Sequence, residues 1–206
     1  MRTLKEPEER RNEILDVAYE LFSSKGYDST SVLDILEKTG IAKGTLYYYF
    51  KGKEDIMNAV IVRILAGMME KAGAVAIDSS LSVHDKLLQV ISSLHLDESQ
   101  GKEILEHIHN PQNALMHQKQ LEALVQGVTP ILSTIVEEGV LQGLFTTPFP
   151  YESAEMLIIY SQIAFDHPSF NSEEEAVRKV SAFICNMERI LGAETGSFDY
   201  MRQLFN

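Results

Sequence analysis

The chain has 206 residues, a formal net charge of -12, 45% hydrophobic and 23% charged residues, and a single cysteine. Such a chain can bury a sizeable core, as one domain or as a small module joined to a larger one, and its composition excludes intrinsic disorder and a disulfide framework. Its longest apolar stretch, from Met57 to Met69, is broken by Arg63 and falls short of the roughly 20 residues that cross a bilayer, and the acid-rich start MRTLKEPEERR lacks a secretory segment, so a soluble cytoplasmic protein with no membrane partner is expected.

Apolar residues recur at i, i+3, i+4 and i+7 through most of the chain, and almost no stretch alternates with period two, which predicts an all-α fold. A first helix runs from Pro7 to Lys25 on the stripe Ile14, Ala18, Leu21 and Phe22, with proline tolerated in its first turn and Gly26 stopping it. Thr30 or Ser31 caps a short second helix carrying Val32, Ile35 and Leu36, which ends at Thr39-Gly40. A third helix spans about Ala42 to Phe50, and after Lys51-Gly52-Lys53 the acidic pair Glu54-Asp55 opens a long fourth helix reaching Ile77. Further helices are read near 82–96, 98–109, 112–141 (with a kink at Pro130), 151–166 and 173–191, followed by a short tail.

Charge is distributed unevenly. Residues 1–55 carry nine basic and eleven acidic side chains, and residues 56–206 carry nine and nineteen, so the second part is strongly acidic. Against that background the window KTGIAKGTLYYYFKGK, from Lys38 to Lys53, holds four lysines, three consecutive tyrosines and no acid. A basic, aromatic window in an acidic protein is suited to a polyanion, and the second and third helices, joined at a turn containing Gly40, form a helix-turn-helix whose second member fits a DNA major groove about 12 Å wide.

At about 100° per residue, Leu46, Tyr49 and Phe50 share the inner face of the third helix, leaving Gly44 and Tyr48 opposite, flanked by Thr45 and Tyr47. Gly44 permits close backbone approach, Thr45 suits a base edge or thymine methyl, Lys43 suits guanine acceptors, and tyrosine hydroxyls with Lys51 and Lys53 suit phosphate oxygens. The capped start of the second helix offers backbone N–H groups to a further phosphate.

These residues resemble the signature of the TetR family of bacterial transcriptional regulators. The likeness runs from about Ile14 to Met57 and rests on Ala18, Leu21 and Phe22, Gly26-Tyr27, Thr30-Ser31-Val32, Ile35, Gly40-Ile41, Lys43-Gly44-Thr45-Leu46-Tyr47, and Phe50 followed by Lys53-Glu54. It implies that Lys43, Gly44, Thr45 and Tyr48 face bases while Thr30, Ser31, Tyr47, Tyr49 and Lys53 hold phosphates. Two positions depart from the family pattern: Leu33 stands where a basic residue is common, removing a charged contact from the second helix, and Leu36 where a small residue is usual, altering helix packing.

The resemblance further implies a helix-turn-helix DNA-binding domain at 1–53 and a helical effector-binding and dimerisation domain at 54–206. It implies a homodimer that places two recognition helices on a near-palindromic double-stranded operator, and a small-molecule effector that releases a repressor. The last two long helices would form the dimer interface, with Leu157, Ile158, Ser161 and Phe165, then Val177, Val180, Ile184, Met187 and Leu191, supplying core and partner faces. Met68, Met69, Met116 and Met156 are candidate effector-lining residues.

Rival readings are an activator of the same family, a helical protein-interaction module, and an enzyme. The sequence carries no GxSxG, Walker loop, HExxH or CxxC, so neither a catalytic role nor a cofactor is expected. Glu103, His107 and His109 fall on one expected helix, but only the first two share a face, and two ligands make no metal site.

Overall fold

The computed structural model of the chain describes residues 6–94, 113–165 and 172–205. They form eight α-helices and no strand among the described residues: α1 (Pro7–Lys25), α2 (Val32–Thr39), α3 (Lys43–Tyr49), α4 (Lys53–Ala76), α5 (Val83–Leu94), α6 (Ala114–Leu141), α7 (Pro150–Phe165) and α8 (Glu173–Leu191), followed by a 3₁₀ segment, Asp199–Phe205. The all-α expectation holds. The helix read at 98–109, with Glu103, His107 and His109, lies outside the described residues. Pro130 stands inside α6, whose helical assignment continues through it.

Two compact units emerge from the contacts among the described residues, one holding residues up to Gly67 with those from 113 to Ala123, the other holding the rest. Their boundaries fall inside α4 and α6.

In the first unit α1 buries Ile14, Leu15, Ala18 and Phe22 on one stripe, and α2 contributes Ile35, α3 Leu46, and α4 Ile56, Met57 and Val60. Polar ties join α2 and α4 to α1. Lys25 pairs with Asp34 at 2.8 Å, Lys38 pairs with Glu20, and Arg63 reaches Asp16 at 2.8 Å. Gly40 adopts φ 65°, the left-handed conformation that closes α2 and reverses the chain into α3, which a side-chain-bearing residue adopts only at a cost. The turn that orients the two helices is therefore written by one glycine.

The second unit is built on α5, most of α6, α7 and α8. Phe145, Phe198, Ile135 and Leu191 lie in its centre, with Phe145 stacked on Phe198 at 5.7 Å between ring centroids. Lys86 is buried and bridges to Glu138 at 2.6 Å, giving a desolvated ammonium the counter-charge it requires. The 3₁₀ segment docks through Tyr200, whose hydroxyl lies 3.0 Å from His84 Nδ1, and burial holds the His84 imidazole below its usual range and pushes the Tyr200 phenol up. α4 and α6 approach closely where Gly127 faces Met69: a Cβ at residue 127 would come within 2.9 Å of the Met69 sulfur.

α6 is the one described helix long and apolar enough to cross a bilayer by length and composition, and 44% of its apolar window is already buried against protein, as in a core helix.

Candidate nucleic-acid interface

α3 carries the exposed face of the window. Its inner side is set by Leu46, fully buried, and by Phe50 at its C-terminal end, 2% exposed, while Tyr49 is half-buried. Lys43, Gly44, Tyr47 and Tyr48 are exposed and Thr45 is half-buried. Tyr48 is 80% exposed, far more than any core role would allow, and its ring stands edge-on to Tyr49 at 5.0 Å, which limits its rotamers without covering it. Lys43 Nζ lies 5.8 Å from the Tyr47 ring centroid. A Cβ added to Gly44 would meet nothing within 4 Å, so no neighbour inside the protein demands a glycine there. Of the residues expected on the outer face of α3, Gly44, Tyr47 and Tyr48 are exposed, and Thr45 is partly covered.

The start of α2 differs from the sequence reading. Thr30, expected at a phosphate, is 1% exposed, and its hydroxyl donates to Gly26 O at 2.7 Å while its N–H donates to Tyr27 O at 3.1 Å. It is a structural residue of the α1–α2 turn, where its hydroxyl satisfies the carbonyl of Gly26, which takes φ 88°.

Ser31 is the true N-cap and is exposed, but its hydroxyl donates to Asp34 Oδ2 at 2.7 Å and accepts from Asp34 N at 3.1 Å in a closed capping box. Hydrogen bonds from Lys25 and then Ser31 hold the Asp34 carboxyl well below the usual carboxylate range, so a negative charge occupies the helix start that seemed open to phosphate. The neighbouring Leu33 is 61% exposed.

Lys53 also departs from expectation. Its ammonium donates to Tyr27 O at 2.9 Å and Asp28 O at 3.4 Å, and lies 4.2 Å from the Tyr27 ring centroid. A cation held by two carbonyls and an aromatic face is committed to the fold. Lys51, by contrast, is exposed, and its backbone N–H donates to Asp55 Oδ2 at 2.8 Å. Lys51→Ala is therefore expected to lower DNA affinity evenly across sequences and to reduce the slope of log affinity against log salt by about one. Lys53→Ala is expected instead to lower stability by about 1–2 kcal/mol, through two lost hydrogen bonds to a charged donor and a cation–π contact. Titrations at several salt concentrations and thermal melts separate the two, and a normal melt with a reduced salt slope for Lys53→Ala contradicts this division.

Among the described residues no group of three or more His, Cys, Asp or Glu is placed to hold a metal ion, and Cys185 is half-buried. In the second unit, Ile158, Val180, Ile184, Met187 and Leu191 are buried within the chain itself rather than offered to a partner. The exposed apolar stripe of α7 is Met156, Ile159, Tyr160 and Ile163, at i, i+3, i+4 and i+7, with Val177 exposed on α8. Met156, expected to line an effector site, is 58% exposed on that stripe. Nearly every position of α7 is apolar or small, so the sequence pattern could not fix its rotation.

Residues 14–60 match the family model described as bacterial regulatory proteins, tetR family, and residues 96–186 match one described as the tetracyclin repressor-like C-terminal domain. The chain is 28% identical over 143 residues to the fatty acid metabolism regulator protein of Bacillus subtilis, covering 68% of this chain and 73% of that one. It is 29% identical over 155 residues to the HTH-type transcriptional regulator TtgR of Pseudomonas putida, covering 69% and 73%. Among solved structures, a transcriptional regulator of the TetR/AcrR family from Thermobifida fusca superposes with a TM-score of 0.55 at 26% identity, covering 84% of this chain and 95% of that one.

Proposed function

The chain belongs to the TetR family of bacterial regulatory proteins and is a DNA-binding transcriptional regulator, and on that premise we propose that it is a cytoplasmic, non-catalytic repressor, dimeric on its operator and released by a small-molecule effector. The single observation that carries the DNA side of this reading is α3: it turns Lys43, Gly44, Tyr47 and Tyr48 to solvent within a stretch free of acidic residues. In the proposal Lys43, Gly44, Thr45 and Tyr48 meet base edges, and Tyr47, Tyr49 and Lys51 meet phosphates. Thr30, Ser31 and Lys53 leave the contact set, because their donors are already engaged within the chain.

For the dimer, the exposed stripe Met156, Ile159, Tyr160 and Ile163, with Val177, supports an interface formed by α7 and α8. Two copies related by a two-fold axis would bury this stripe against itself, as a self-complementary interface requires.

Effector release rests on family membership and on the continuity of α4, a helix of 24 residues and about 36 Å whose first half belongs to the DNA-binding unit. Two effector classes come first. The Bacillus subtilis relative is by name a regulator of fatty acid metabolism, which makes long-chain acyl compounds one, and the acidity of residues 56–206 makes lipophilic cations the other. Titrating both into the protein bound to a duplex selected from a random pool should reveal a ligand that lowers affinity by about 5–150-fold, the usual range of allosteric coupling. Operator affinity untouched by every ligand shown to bind the protein would sink the effector-released reading.

A further inference from the structure

Beyond the recognition helix, the residue that precedes α6 is tied to the turn that precedes α2. Asn113 is 2% exposed, and its side-chain amide makes two hydrogen bonds to α1 and the turn after it: Oδ1 accepts from Tyr27 N at 2.5 Å, and Nδ2 donates to Phe22 O at 3.4 Å. The partners are 86 and 91 residues away along the chain, so this is a deliberate long-range closure and not a local cap. Phe22 O, among the last carbonyls of α1, also accepts from Gly26 N at 3.1 Å, whereas Tyr27 N lies beyond the helix end, where a buried N–H needs a partner from elsewhere in the chain.

Tyr27 is held from its other side as well. Its carbonyl accepts from Lys53 Nζ, on the first residue of α4, and from Thr30 N, the residue before the α2 cap. Its ring lies edge-on to Phe22 at 5.2 Å, and burial, followed by the charges of Glu54 and Asp28, pushes its phenol up. One buried residue thus joins the starts of α4 and α6 to the segment that sets α2. These are the two helices that run on past the DNA-binding unit.

We infer that Asn113 is a positioning residue for DNA binding: by its bonds to Tyr27 and Phe22 it fixes the α1–α2 turn, hence the placement of α2 and of the α3 it carries, and it gives α6 a grip on the helix-turn-helix separate from that of α4. The inference rests on the DNA-binding reading and adds to the α4 route a second link, through which a shift at the start of α6 pulls directly on Tyr27. Asn113 touches no DNA in this account.

The test uses Asn113→Leu, which keeps the volume and removes both bonds, with Asn113→Ala as the second variant should leucine fold poorly. Hydrogen exchange is followed in peptides covering residues 21–31, with peptides from α8 as the reference for global opening. Affinity and salt slope are measured, under conditions where the protein is fully folded, on a duplex selected from a random pool. Exchange in 21–31 is expected to rise about tenfold with α8 unchanged, and affinity per folded molecule to fall about tenfold with the salt slope unchanged, since a buried bond and no phosphate contact has been lost. Unchanged exchange in 21–31 overturns the inference, and so does faster exchange with wild-type affinity, which would make the bonds a matter of stability alone. Failure to select any duplex counts against the DNA-binding reading itself, while the exchange arm still decides whether Asn113 holds the turn.

Discussion

Replacing Ile163 with glutamate is expected to dissociate the dimer and lower operator affinity at least a hundredfold while leaving the folded protomer intact. Ile163 is 75% exposed in the single chain, so the protomer has little to lose from a charge there. In the proposed interface the same position is buried between copies, and two-fold symmetry sets two introduced carboxylates facing one another in a dry, apolar setting. Losing the dimer removes the second half-site, and linked binding of two modules commonly exceeds the affinity of one by about 10²–10⁴-fold. Sedimentation and DNA titration of the variant check both parts. A persistent dimer places the interface elsewhere; a monomer with undiminished affinity removes the dimer from the account of operator binding.

Tyr48→Ala and Gly44→Ala carry the second large effect, and their value lies in separating binding from folding. Tyr48, 80% exposed, contributes little to the core, so its truncation should leave the melting temperature nearly unchanged and weaken specific binding by about 1–3 kcal/mol, or about 5–150-fold. Gly44→Ala should have opposite effects on the two properties. An alanine Cβ at residue 44 meets nothing in the protein, and exchanging a helical glycine for alanine favours the fold by up to about 1 kcal/mol, yet the added methyl stands where a base edge or sugar must approach. A more stable protein that binds DNA less well is the signature of a glycine kept for its partner. Wild-type affinity in both variants would mean that α3 is not the reading helix.

Much of the first unit was legible because its signals are local. Pro7, Gly26, the Ser31 cap and Gly40 punctuate α1 and α2 where the structure places them, and the 100° spacing of Leu46 and Phe50 sets the inner face of α3 correctly. What the sequence concealed was long-range. Whether Thr30 or Ser31 presents its hydroxyl outward depends on where the Gly26 carbonyl points, and the fate of Lys53 depends on Tyr27, 26 residues away. Asn113 fell inside the helix read at 112–141, where a single amide carries no signal of its role until its partners are known. The α7 stripe failed for a different reason. Where almost all positions are apolar, helical spacing fits several rotations equally well, and only packing against the rest of the unit leaves Met156, Ile159, Tyr160 and Ile163 outside.

The most direct test of the account is selection of bound duplexes from a random DNA pool by the purified full chain, with affinity for the winner measured at several salt concentrations. A near-palindrome is expected whose half-sites lie about 34–36 Å apart, one helical turn, and whose enrichment is lost with Tyr48→Ala. Weak, sequence-indifferent retention of DNA, or enrichment that Tyr48→Ala leaves untouched, would contradict it.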